Sequence, residues 1–193
     1  DPTKMKFVVL GYYFTVLVTD SQQIIKIPAV GNPVIDHPML RSNKIIDVQT
    51  SFYETYFLFD NHKCLTIGRE NVFTNQILED IHSIHPGGYF SLFIKRDGFI
   101  YGHGSGTSGE YANPVSSSDL PVRSTFADAN VEKALIPAMS NVKSISSNWY
   151  QTLVLTHSNR LFMCGANIGV TFIELIVPDL KKITKICCYF SNF

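Results

Sequence analysis

Charge is scarce in this chain and balanced: 17% of its 193 residues are charged, 16 Lys and Arg against 16 Asp and Glu. A formally neutral chain carries no electrostatic footprint for a phosphate backbone or an anionic membrane, so composition gives nucleic acid no support. Cysteine is also sparse. Cys64, Cys164, Cys187 and Cys188 make no Cys-x-x-Cys pair and no metal-ligand spacing, and the chain has no Asn-x-Ser/Thr sequon. Both absences point to a reducing compartment, cytoplasm or nucleus. No apolar run is long enough to span a bilayer as a helix. The longest, Phe7 to Val18, follows Met5-Lys6 as a signal peptide's core would. No small-residue cleavage site comes after it, and it reads as a strand. A nucleophile elbow, Gly-x-Ser-x-Gly, is missing too, which removes the usual hydrolase signature.

What is plentiful is apolar and aromatic. Hydrophobic residues make up 45%, including 14 Phe and 9 Tyr, enough for a real core in one domain of ordinary size. These residues recur in a pattern. A branched aliphatic, two residues, a second aliphatic and a small or turn-forming residue precede an apolar strand, a polar turn and another strand. The copies begin at Lys4, Ile45, Ile81 and Val142, and a fifth starts at Ile183. Three residues beyond each turn position stand Phe14, Glu54, Phe90, Gln151 and Asn192. Repeats of this size and irregularity predict a propeller or solenoid. We place them at 4–44, 45–80, 81–141 and 142–182, with the start of a fifth at 183–193.

Each full copy predicts a hairpin. In the third, Ser91 to Lys95 and Phe99 to His103 flank Arg96-Asp97-Gly98, where glycine supplies the positive φ of a tight turn. In the fourth, Thr152 to Thr156 and Leu161 to Gly165 flank His157 to Arg160. Tyr56 to Phe59 pairs with Cys64 to Ile67 in the second, and Val16 to Val18 with Ile24 to Ile27 in the first. Strand residues dominate and helical periodicity is rare. One exception is expected, a short helix between Ala127 and Ala138.

The third copy carries a family signature. Gly87-Gly88-Tyr89-Phe90-Ser91-Leu92, then Asp97-Gly98, then His103-Gly104-Ser105-Gly106-Thr107-Ser108-Gly109-Glu110-Tyr111-Ala112 resembles the repeat of the regulator of chromosome condensation family. Phe90 stands where that family has His, and His103 where it has Trp; Cys164-Gly165-Ala166-Asn167 keeps Gly and Asn in the fourth copy. The resemblance implies an all-β chain, a partial β-propeller of about four four-stranded antiparallel blades. It would be part of a seven-bladed ring, hence a piece of a longer protein. The repeat glycines would be Gly11, Gly87, Gly88, Gly98, Gly104, Gly109 and Gly165.

The resemblance also implies function: a non-catalytic scaffold that recognises a protein partner. The specific version is a Ran-like small GTPase whose nucleotide exchange it promotes. A regulatory domain of a larger ubiquitin ligase or kinase is the alternative, and a chromatin-binding propeller the third reading.

Other motifs read as structure. Gly104 to Gly109 spells Gly-x-Gly-x-x-Gly, but no βαβ unit follows to place a pyrophosphate on a helix N-terminus. His82-x-x-His85 lies on an expected strand, where residues three apart face opposite sides. Glu79-Asp80 reads as a solvated turn and Cys187-Cys188 as buried structural cysteines. No catalytic, metal or cofactor residue is expected. Gly109 to Met139 is the longest departure from the strand pattern and reads equally as a recognition loop or as an ordinary long repeat. Tyr111, Phe126 and Trp149 are the candidate partner anchors.

Overall fold

Every polar turn between two apolar runs folds the second run back onto the first. The computed structural model describes residues 4–12, 14–28, 35, 37–52, 54–68, 76–98, 100–104, 132–133, 142–176 and 182–188. These fall into two compact units, Asp1–Ile81 and His82–Phe193.

In the first unit, β1 (Met5–Leu10), β2 (Phe14–Thr19) and β3 (Ile24–Pro28) form a three-stranded sheet. A short helix, α1 (Pro38–Ser42), leads to a second sheet of β4 (Ile45–Thr50), β5 (Glu54–Phe59), β6 (Cys64–Gly68) and β7 (Gln76–Leu78). The second unit repeats the plan. One sheet, whose first residue is the last of the first unit, holds β8 (Ile81–Pro86), β9 (Phe90–Lys95), β10 (Ile100–Gly104) and β11 (Glu132–Lys133). The other holds β12 (Val142–Ser147), β13 (Gln151–Thr156), β14 (Leu161–Gly165) and β15 (Gly169–Leu175). All pairings are antiparallel between chain neighbours, the meander topology of propeller blades.

The second strand of a sheet is its core. β5 is buried at every position, and β9 at all but its last, which is why both read as continuous apolar runs rather than alternating ones. The first unit buries Val16, Val18, Ile45, Phe57, Phe59 and Leu65 in one cluster. The second buries Phe90, Leu92, Ile94, Ile145, Val154 and Phe162 in another. First strands share an irregularity: register shifts occur between Met5 and Phe7, Ile45 and Asp47, and Val142 and Ser144, a bulge after the first residue.

Two expectations are corrected. Phe7 to Val18 is not one strand but parts of β1 and β2, because the turn at Gly11, whose N–H bonds back to the Phe14 carbonyl at 2.8 Å, reverses the chain. The helix expected between Ala127 and Ala138 gives way to β11, where Lys133 pairs with Tyr101 and Glu132 with Gly102. A free strand edge on β10 satisfies two backbones at once, which outweighs weak local helix propensity. In place of that helix stands α1, with Pro38 in its first turn and His37 Nδ1 accepting from Met39 N at 3.2 Å.

Candidate functional site

Two kinds of turn organise each sheet, one at either end. The turn from first to second strand is built alike four times. The N–H of Gly11, Ser51, Gly87 and Asn148 donates to the carbonyl of Phe14, Glu54, Phe90 and Gln151, at 2.8, 3.0, 2.9 and 3.0 Å. The residue closing each turn is thus held by its backbone, whatever its side chain. Phe14 and Phe90 bury rings there, whereas Glu54 buries a carboxylate that accepts from the Tyr56 hydroxyl.

Aromatic side chains crowd the same turns. In the first unit Tyr12, 62% exposed, stacks on Phe52 with ring centres 4.4 Å apart. In the second unit Trp149 meets Tyr89 edge-on at 5.9 Å and Tyr150 at 6.3 Å. Trp149 is half-buried, and Tyr150 is 40% exposed. Gly88 is the floor: a Cβ there would lie 2.8 Å from Trp149 Cα, and its N–H donates to the Asn148 carbonyl at 3.1 Å. Asn148 Oδ1 in turn accepts from Tyr150 N and Gln151 N, both at 2.8 Å, an Asx turn that fixes the backbone carrying Trp149.

At the opposite end, the hairpin between second and third strands contains a left-handed residue in every sheet: Gln22, His62, Gly98 and Asn159. Three of these grip the start of the next repeat. Gln22 Oε1 accepts from Ile45 N at 2.6 Å, and Asn159 Oδ1 accepts from Ile183 N at 2.7 Å. The His62 carbonyl accepts from Ile81 N at 2.9 Å. Asn159→Ala is expected to lose about 2 kcal/mol, combining alanine's poorer tolerance of the left-handed backbone with a lost acceptor. Asn159→Gly, which keeps the conformation but not the acceptor, is expected to lose about half of that. Urea midpoints measure both; no loss in Asn159→Gly would leave the side-chain latch without a role, and equal losses would mean the left-handed conformation adds nothing.

Of the other expected glycines, Gly11 and Gly87 sit against the rings of Phe14 and Phe90, and Gly98 has a positive φ with open space around it. Gly104 ends β10 opposite Phe90, so the Gly-x-Gly-x-x-Gly run begins inside a sheet. Gly165 has φ +115° under the Tyr150 carbonyl. Gly109, Tyr111 and Phe126 lie outside the described residues. Trp149 is therefore the one expected partner anchor with a described environment. Tyr12, Phe52, Tyr89 and Tyr150 join it as residues the sequence reading passed over, although an aromatic after each turn position was visible.

The burial expected of Cys187-Cys188 is not met: Cys187 is exposed and Cys188 half-buried, because they fall in residues 182–188, outside the described sheets. Among the described residues no three His, Cys, Asp or Glu side chains gather as metal ligands. His82 is exposed, while His85 is drawn inward, with Ser83 Oγ 2.9 Å from Nε2. Burial lowers the His85 pKa to about 4; a hydrogen bond with the Ile145 backbone opposes this, and nearby His82 adds to it. A histidine held neutral stabilises the fold above its unfolded pKa near 6.5 and loses that contribution as pH falls toward 4. Wild type is expected to lose up to about 1.4 kcal/mol per pH unit more than His85→Gln across that window, measured by urea unfolding at several pH values. Parallel curves would overturn this. Burial, with Glu54 and Asp47 adding, pushes the Cys64 thiol up, so it is no nucleophile at neutral pH.

No protein-family model and no curated protein sequence matches the chain. Solved structures do. Prp20p from Saccharomyces cerevisiae, described with its binding properties to Gsp1p and histones, aligns at TM-score 0.71 and 17% identity over 91% of this chain and 51% of that one. Human WBSCR16 aligns at TM-score 0.70 and 13% identity over 96% and 57%. The ectodomain of the Arabidopsis thaliana receptor kinase ACR4 gives 0.54 and 11% over 89% and 54%. The chain thus spans about half the length of these structures. Among the described residues no helix is long and apolar enough to cross a membrane. Four antiparallel meander sheets, with turns repeated from one to the next, give this chain the fold of an RCC1-like β-propeller, in part.

Proposed function

We propose that this chain is a non-catalytic protein-recognition module. Its partner is a small GTPase of the Ran type, and its effect is to promote nucleotide exchange. The observation that carries recognition is the set of aromatics at the first turns, large rings left partly exposed on a rigid sheet scaffold. The likeness to Prp20p, described with its binding to Gsp1p, supports the choice of partner. Exchange would follow from differential affinity: a surface that binds the nucleotide-free GTPase more tightly than the loaded one shifts the population toward release.

Residues 182–188 support the repeat reading. Ile183 meets Asn159 as Ile45 meets Gln22, which is how a fifth unit would start. Four free cysteines fit action in the cytoplasm or nucleus, where thiols stay reduced.

Release of fluorescent GDP from Ran and a panel of related GTPases, with the full-length protein added, tests the proposal. Acceleration at substoichiometric protein is expected. No acceleration by a folded protein overturns exchange. No binding to any of the GTPases overturns the choice of partner.

A further inference from the structure

The hairpin between β9 and β10 differs from its three counterparts at one chemically reactive step. Gln22, His62 and Asn159 hold the left-handed position in the other sheets, and each bonds to the start of the next repeat. Here that position is Gly98, and nothing lies within 4 Å of where a side chain would begin. Asp97, exposed, precedes it; this is the only Asp-Gly step in the chain, which has no Asn-Gly. An aspartyl side chain followed by glycine is open to attack by the next backbone nitrogen, because no Cβ obstructs the approach. The Gly98 nitrogen bonds to Asp97 Cγ, the Cγ–OH bond of the carboxylic acid breaks, and the hydroxyl leaves with the proton of that nitrogen as water. Water then reopens the cyclic imide at either carbonyl. One opening restores aspartate and the other gives isoaspartate, whose main chain runs through Cγ. No oxidant or reductant takes part.

Two contacts oppose that attack. The Gly98 N–H donates to the Lys95 carbonyl at 2.9 Å, so the attacking nitrogen is engaged. The Tyr101 hydroxyl donates to Asp97 Oδ2 at 2.7 Å, which ties the carboxylate to β10. Lys95 Nζ stands 4.6 Å from the centre of the Tyr101 ring, a cation–π contact across the two strands that steadies the ring. The hydrogen bond to Asp97 pushes the Tyr101 pKa up to about 12, so the hydroxyl keeps its proton and goes on donating at physiological pH. We infer that Asp97-Gly98 is a latent site of isoaspartate formation, and that Tyr101 guards it by holding the Asp97 carboxylate on β10. Once formed, isoaspartate adds a backbone carbon to the turn that sets the register of β9 against β10, so the modification loosens a core strand. The inference does not depend on the partner proposed above.

The full-length protein, aged at neutral pH beside a free peptide of residues 91–103, tests this, with isoaspartate at position 97 quantified by peptide mapping. The folded wild type is expected to isomerise at least about tenfold more slowly than the peptide, in which neither contact persists. Tyr101→Phe keeps the ring and its contact with Lys95 but removes the donor. It should accumulate isoaspartate about fivefold faster than wild type, the factor that one hydrogen bond controls, with the melting temperature unchanged. Equal rates in wild type and Tyr101→Phe overturn the guard. Should the variant melt lower, both proteins are aged equally far below their midpoints, and a difference that then vanishes also overturns it. A wild type as fast as the free peptide shows that the turn closes nothing. No isoaspartate even in the peptide removes the site.

Discussion

Gly165→Ala is expected to lower the stability of the fold by about 3–5 kcal/mol, a fall in melting temperature on the order of 10 °C for a chain of this size. Two causes act together. The residue sits at φ +115°, which a side chain rarely adopts. Its Cβ would also lie 2.1 Å from the Tyr150 carbonyl oxygen and 2.8 Å from Gln151 Cα, both backbone atoms that no rotamer change can move. That carbonyl is in use, accepting from Ala166 N at 2.9 Å, so displacing it breaks the junction of β13 and β14. Gly98→Ala is the control. Its φ is +80°, yet nothing lies within 4 Å of the added methyl, leaving only the conformational cost of about 1 kcal/mol. Equal losses in the two variants would mean that φ alone matters and that the close approach at Gly165 does not.

The same pair of glycines shows what the sequence could reveal. Asp97-Gly98 between two apolar runs announces its turn, because glycine there answers a local need that the neighbouring residues display. The need at Gly165 is set by Tyr150, far along the chain, and only the family signature of Cys164-Gly165-Ala166-Asn167 pointed to it. Gln22, His62 and Asn159, left-handed in the matching hairpin turns of the other sheets, are not glycines at all. Their conformation follows from turn shape and from the amide each meets in the next repeat, neither of which is written locally. Strands fared better, since β5 and β9 are buried on both faces and their apolar runs are unambiguous. Helices fared worst. The segment holding Glu132 and Lys133 had mild helical composition but found an open edge at β10, whereas α1 carried a legible Pro38 start inside a stretch too short to show periodicity.

The candidate site was half legible for a related reason. Trp149 draws notice by its rarity, but its neighbours in space come from two repeats. Tyr89 belongs to the turn after β8 and Tyr150 to the turn after β12, and only alignment of the repeats brings them into one place. Tyr111 and Phe126, the two anchors expected in the long connection, lie outside the described residues. The aromatics of the short turns sit on backbone held by the same hydrogen bond four times over, a firm platform.

That platform makes the second large effect predictable. Gly88→Val should cost about 2–4 kcal/mol and shift Trp149 emission to the red. Gly88 is buried and has no positive φ, so the effect must come from space alone. The first added carbon would stand 2.8 Å from Trp149 Cα and 2.9 Å from Cγ, and valine brings two further methyls into the same gap. Either the indole lifts away and meets water, or the β8–β9 and β12–β13 turns separate and the bond from Gly88 N to the Asn148 carbonyl is lost. Both routes reduce stability, and both change the surroundings of the chain's single tryptophan. Gly88→Ala, with one carbon in place of three, should show a smaller version of each change. Melting and emission left unaltered by valine would mean that the two turns do not pack as described. A stability loss without any emission change would place the strain away from Trp149 and detach Gly88 from the aromatic ridge.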